Sequence, residues 1–206
     1  MINLYQTEEY KQFNYKLGHI GERIVSDEIN SFDGYSTVKT EYACPDYKIF
    51  INGNLAGYAE VKTQKARDVL NNGSRVGYSF AVRQIENYRL YDTPETPLEF
   101  YVVDIDARLV RWDYFSELER ARDIDGREFP FDAYAKPLDT EIHHWHVAQF
   151  RFAFPLNDAD IAEIKAVIDE RDKFIEGLKR NDIDYFREQR MKNYAPAVTC
   201  DFDDSF

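Results

Sequence analysis

The chain has 206 residues, 44% hydrophobic and 16% aromatic, which suffices for one sizeable core with an appended helical piece. Its net charge of −12 argues against a basic, phosphate-binding protein as a whole. No run reaches the roughly 18 apolar residues of a membrane helix, residues 1–16 lack the apolar segment of a secretory signal, and two cysteines (Cys44, Cys200) cannot build a disulfide framework, so a cytoplasmic protein without membrane attachment is expected.

Leu17, Ile20, Ile24, Val25 and Ile29 recur at helical spacing and predict a first helix over residues 17–31, stopped by Asp33-Gly34. Residues 35–41, rich in Tyr, Thr and Val, predict a strand. Two further strands, 46–51 and 55–63, flank Asn52-Gly53, a strong hairpin signal. Residues 64–77 are polar and read as a mobile loop. Ser79 is placed to cap a helix carrying Val82, Ile85 and Tyr88, which ends before Thr93-Pro94. Strands follow at 98–105 and 109–112, residues 116–137 read as acidic and irregular, and 143–154 as one more strand. A long helix is predicted from Asp158 to about Lys179, with Ile161, Ile164, Ile168, Ile175 and Leu178 on one stripe. The fold class expected is α/β: a central mixed sheet flanked by helices. The expected organisation is one domain over 1–155, a helical extension over 156–193 and a disordered acidic tail over 194–206.

The hairpin organises the chemistry. With a three-residue loop, Asn52-Gly53-Asn54, paired positions sum to 106 and Asp46 falls opposite Glu60. With a two-residue loop, Asp46 pairs with Ala59 instead, and the two acids remain neighbours. Alternation puts Asp46, Lys48, Glu60 and Lys62 on one face and Tyr47, Ile49, Ile51, Ala59 and Val61 on the other, apolar face. Opposed carboxylates about 5 Å apart repel unless a cation or a proton lies between them. Hard oxygen ligands suit magnesium or manganese, and a lysine beside them suits a phosphodiester. The bland alternative is a surface hairpin with an acid–lysine ladder, and the same triplet recurs at Glu9-Tyr10-Lys11 and Glu163-Ile164-Lys165.

Charge is unevenly spread. Residues 1–90 carry 11 basic and 11 acidic side chains, and residues 91–206 carry 15 and 27, so the whole net charge lies in the second part. Between Lys62 and Arg89 stand six basic residues against Asp68 and Glu86. A phosphate-binding strip and an ordinary solvated basic face fit this equally well.

Pro45-Asp46 followed by Glu60-Val61-Lys62 resembles the PD-(D/E)XK nuclease superfamily, and the predicted element order over residues 17–112 is similar to its restriction endonuclease-like core. The resemblance implies a metal-dependent nuclease acting on DNA. Its Mg2+ (or Mn2+) would be held by Asp46, Glu60 and the Val61 carbonyl, with Lys62 near the attacking water and Glu22 as the acidic residue on the first helix. Gln84 and Tyr88 look like the QxxxY element of nuclease domains similar to those of RecBCD and lambda exonuclease. A glutamine there could bind a phosphate or a catalytic-site group and a tyrosine could stack on a base; the plain alternative is a helix with one buried Tyr and one exposed Gln. Lys65, Arg67, Arg75 and Arg83 are the candidate backbone contacts. An RNA-directed nuclease, or an inactive module of this fold that binds nucleic acid or a protein, are the alternatives. His143-His144-Trp145-His146 lacks convincing ligand spacing and is read as structural. The tip at residues 200–206 is similar to those of single-stranded-DNA-binding proteins and could dock a protein partner, although a solubilising tail is the preferred reading. A homo-oligomer is conceivable because no separate DNA-recognition domain is visible.

Overall fold

The computed structural model describes residues 7–41, 45–71, 73, 76–135 and 140–193. The first helix, α1 (Glu8–Asn30), starts nine residues before the predicted position. Its apolar stripe does begin at Leu17. The preceding turns are held by a cap, the Thr7 hydroxyl accepting from the Tyr10 amide, and by Glu8 and Glu9 in the first turn, where the helix dipole favours acids.

Strands β1 (Tyr35–Lys39), β2 (Tyr47–Ile51) and β3 (Asn54–Gln64) then form an antiparallel meander. The turn has two residues, Asn52 (φ 51°) and Gly53 (φ 80°), both left-handed, as a tight hairpin with strand-matching twist requires. Ile51 therefore faces Asn54, not Leu55. A bulge at Ala56 then inserts one residue, and from Ile49↔Gly57 to Tyr47↔Ala59 the pairs sum to 106. Of the two loop lengths considered, the two-residue one is present, and the bulge restores near the acids the register expected of the three-residue one.

After β3 the chain was expected to be loose until residue 77. Its described residues are ordered: the Arg67 amide donates to the Gly77 carbonyl at 2.7 Å, the Asp68 carboxylate accepts from the Leu70 and Gly73 amides, and Val69 is buried. Ser79 caps no helix. It lies in β4 (Gly77–Ala81), and α2 (Val82–Tyr88) begins after Ala81. The connection then returns to β5 (Leu98–Asp104), which pairs parallel to β3. Next come β6 (Leu109–Tyr114) and α3 (Phe115–Leu118). The segment expected to be irregular also holds a small hairpin, β7 (Arg122–Ile124) and β8 (Arg127–Phe129), and then β9 (Phe131–Ala135). The single strand expected over 143–154 is two, β10 (Thr140–His146) and β11 (Phe152–Pro155), separated by a 3-10 turn and belonging to different sheets. The long helix α4 covers Asp158–Asn193.

The main sheet is mixed, with strand order β1-β2-β3-β5-β6-β11, and only β3–β5 is parallel. Strand β5 explains the layering. Leu98, Phe100 and Val102 point to one side, Tyr101 and Val103 to the other, and all five are buried, as in a strand covered on both faces. On the Tyr101 side lie α1 and the start of α4, with Leu156, Ile164 and Val167 in the same core as Ile20, Ile24 and Val61. The domain boundary expected at 155/156 thus falls inside this core. On the Phe100 side lie α2, α3 and the sheet β4-β10-β9, closed around Trp145, whose ring sits 4.9 Å from both Phe80 and Phe100.

Gly57 lets β3 pass close to the start of β5. A β-carbon there would stand 2.6 Å from the Pro97 carbonyl oxygen, to which the Tyr58 amide donates at 3.0 Å. Gly57→Ala should therefore lower the free energy of unfolding by about 1–3 kcal/mol in urea titration. An unchanged midpoint would mean that this contact is not fixed.

Candidate active site

Glu60 is 0% exposed. It stands on β3 beside Phe100 of β5, so the alternation that buries Phe100, Leu98 and Val102 carries the Glu60 carboxylate to the aromatic side of the sheet. A carboxylate in such surroundings requires partners, since an isolated buried charge costs several kcal/mol. Two are supplied. The Tyr88 hydroxyl donates to Oε1 at 2.9 Å, and the Lys62 ammonium, two residues along the same strand face, forms a close ion pair with the same oxygen. The other oxygen, Oε2, is buried and has no hydrogen-bond partner among the described residues.

Asp46 stands one position beyond the last β2–β3 pair, at the place opposite Glu60. Thr40, just past β1, fixes it: the Thr40 amide donates to the Asp46 carbonyl at 2.9 Å and its hydroxyl donates to the Pro45 carbonyl. Asp46 Oδ2 accepts from the Val61 amide at 2.8 Å. Burial pushes the Asp46 carboxyl up to about 7, and the negative charges of Glu60 and Glu22 push the same way. Lys62 and the Val61 amide pull it down. Two carboxylates thus share one half-buried place with one ammonium.

Glu22 projects from α1 toward the same region and is felt electrostatically by Asp46. Its Oε2, however, accepts from Lys39 Nζ at 2.6 Å and lies 3.4 Å from His19 Nδ1. Among the described residues no three Asp, Glu, His or Cys side chains converge closely enough to hold a metal ion. Asp46, Glu60 and Lys62 come together; Glu22 stands at the margin, drawn to Lys39. Lys48, expected on the acid face, is exposed. Lys39 and Thr40 carried no motif, and only the end of a short strand beside Pro45-Asp46 could have pointed to them.

Tyr88 is 2% exposed, its ring packed 5.4 Å from Phe100 and 6.1 Å from Phe115. A stacking ring needs an open face, and this one has none. Its place is beneath the site, holding Glu60, with Lys62 Nζ 5.9 Å from its centroid. Gln84, four residues earlier on α2, is exposed, as is Arg83. Lys65 pairs with Asp106 at 2.8 Å, Arg67 lies on the surface beyond β3, and Arg75 and the acidic tail at 194–206 lie outside the described residues. The histidine run is structural: His143 is enclosed between Glu119 (2.8 Å from Nε2) and Asp132 (2.6 Å from Nδ1), and His144 Nδ1 meets Ser79 Oγ at 2.9 Å.

An orphaned buried oxygen on one carboxylate, beside a second whose ionisation is opposed by crowding, fits a divalent cation. The donor set available is Asp46, Glu60 and backbone carbonyl oxygen. No family model, curated protein or solved structure matches the chain. No helix among the described residues is long and apolar enough to cross a membrane.

The raised Asp46 value makes a pH prediction for the metal-free protein. The folded chain keeps a proton on Asp46 that the unfolded chain, with its ordinary value of 3.8, has lost. This group's contribution to stability therefore falls as pH rises from about 4 to about 7. In EDTA, the melting temperature of Asp46→Asn relative to wild type should rise between pH 5 and pH 8. Parallel curves would show that Asp46 is not crowded.

Proposed function

We propose that the chain is a divalent-metal-dependent nuclease of the PD-(D/E)XK type, with a restriction endonuclease-like core, that hydrolyses DNA phosphodiester bonds. The observation that carries this reading is the Glu60 carboxylate, fully buried, with one oxygen paired and the other orphaned beside Asp46. The mixed sheet with α1 on one face and the β4–α2 crossover on the other supports the fold assignment.

In this reading Asp46, Glu60 and the Val61 carbonyl would hold Mg2+ or Mn2+, which would lower the pKa of a bound water and neutralise phosphoryl charge. The chain's own contributions are positional. Tyr88 keeps Oε1 occupied, so that Glu60 presents Oε2. The Val61 amide turns Asp46 toward Glu60. Lys62 lies next to the carboxylate and can place its ammonium against a phosphate oxygen or the attacking water. Glu22 and Lys39 form a second acid–base pair at the edge of the site.

One observation favours the alternative of a binding module without activity. Among the described residues no third side chain completes a metal-ligand cluster, and Lys62 already neutralises Glu60. The partner would be DNA, RNA or a protein, the last through the acidic tail. A cytoplasmic setting and a homo-oligomer belong to both readings as proposals.

Cleavage of linear, circular, single-stranded and branched DNA, and of RNA, with Mg2+ or Mn2+ separates the two. The nuclease reading predicts activity that EDTA abolishes, and a loss of about a hundredfold or more in Glu60→Gln and in Lys62→Ala. Wild-type inactivity on every substrate, or full activity in Glu60→Gln, would defeat it.

A further inference from the structure

Beyond the end of β3 the surface opens into a cleft of about 840 Å3 between α1, residues 64–68 and α4. Its charged lining is Lys65, Arg67 and Arg171 against one acid, Asp68, whose carboxylate is occupied by the Leu70 and Gly73 amides. Gln64 lines it too, and Gln64 Nε2 is buried without a hydrogen-bond partner among the described residues. A smaller hollow of about 150 Å3 adjoins it, sharing Lys65 and Ile105, and adds Arg108 and Lys165 against Asp106. Along this surface five cations line the hollows with two acids, Lys65 pairing with Asp106 at 2.8 Å and Arg171 with its neighbour Asp172 at 3.1 Å, on a chain whose net charge is −12. The hollow toward the C-terminal end of α1 has the opposite character, with Asp27, Glu28 and Asp160 around Arg23. Three of the five cations (Arg108, Lys165 and Arg171) come from the part of the chain that carries the whole acidic excess, and the fold gathers them beside Lys65 and Arg67.

The cleft opens where β3 ends, with its α1 and α4 walls on the side of the sheet opposite the Glu60 carboxylate, and Gln64 is the lining residue that shares the Glu60 side. Glu60, Lys62 and Gln64 alternate on one side of β3, and four residues of strand span about 13 Å, the rise of roughly four phosphates along one strand of a B-form helix. The volume lies in the range that encloses a drug-sized ligand (roughly 300–1,000 Å3). That suits a stretch of one strand. Cations spread over three elements, with a carboxamide donor at the bottom, match a repeated phosphate backbone better than a single anionic group.

We propose that this cleft is a strand-binding subsite, which takes the sugar–phosphate backbone of a single nucleic-acid strand leading away from Asp46, Glu60 and Lys62. The backbone lies across Lys65, Arg67 and Arg171 and continues to Arg108 and Lys165. Its orientation toward Asp46 and Glu60 rests on the nuclease reading. The site itself does not.

The test is fluorescence anisotropy with a labelled single-stranded DNA 20-mer in EDTA, from 50 to 200 mM salt. Full-length wild type is compared with Arg67→Glu/Arg171→Glu and Arg108→Glu/Lys165→Glu, and with Arg120→Glu, an exposed cation after α3, as a control outside the cleft. Each double variant should weaken binding tenfold or more. The neutral pair Arg67→Gln/Arg171→Gln, which keeps the side-chain stems, should make the slope of log K against log salt shallower by about 1.4, the value for two lost phosphate contacts on single-stranded DNA. Arg120→Glu should bind within about threefold of wild type. Unchanged binding by the double variants, equal loss in Arg120→Glu, or no binding by wild type at 50 mM salt would overturn the subsite. Cleavage assayed in parallel separates the two ideas. DNA cut by variants that bind like wild type leaves the nuclease reading standing and the subsite refuted. Binding lost in the double variants of an inactive wild type does the reverse.

Discussion

A carboxylate buried in an aromatic core makes demands on everything around it. Glu60 has no solvent exposure, so its charge has to be met from within the protein. The parallel pairing of β3 with β5 places it beside Phe100. That pairing requires a long crossover, and the crossover is where β4 and α2 arise and where Tyr88 returns to donate to Glu60 Oε1. Lys62 reaches the same oxygen because strand periodicity sends residues two apart to one side. The second sheet, with Trp145 against Phe80 and Phe100, builds the aromatic core on this side of β5. A core that needed only stability would be at least as stable with a leucine at this position. The retained acid, with one oxygen orphaned, points to a use for that oxygen.

Much of the site was legible because it depends on short-range rules. The Asn52-Gly53 turn and two alternating strands suffice to bring Asp46 to the place opposite Glu60, with Lys62 alongside. The difference was local. Two left-handed residues make the turn, and the bulge at Ala56 supplies the offset that a three-residue loop would have supplied. Tyr88 was misjudged for a different reason. Helical spacing puts Gln84 and Tyr88 on one side of α2, but only the tertiary fold decides whether that side meets solvent or Glu60. The first two turns of α1 escaped notice because their stability comes from Thr7 and the acids after it, without an apolar stripe. The strands between 122 and 135 escaped because their polar side chains are satisfied in pairs, as Arg122 is with Glu117 and Asp132 with His143, which leaves little apolar alternation to see.

Charge illustrates the same limit. Counting along the chain separates a neutral first part from an acidic second part, and suggests that the basic surface ends with Arg89. Folding recombines the two. Helix α4 packs on α1, and the turn between β5 and β6 lies beside them, so Arg108, Lys165 and Arg171 join Lys65 and Arg67 along one surface. The acidic excess is left to other faces, among them the hollow beside Asp27, Glu28 and Asp160. A strongly acidic protein can in this way offer a local cationic path, because at physiological salt charges more than about 8 Å apart are largely screened from one another.

The central claim is that Asp46 and Glu60 form one cation-binding unit. Calorimetric titration of Mn2+ into the metal-free protein at pH 6, below the raised Asp46 value of about 7, tests it without requiring a substrate. The account predicts one site per chain, proton release on binding as the raised Asp46 carboxyl ionises, and loss of the heat in both Asp46→Asn and Glu60→Gln. Absence of binding in wild type, or binding that survives either substitution, would contradict it.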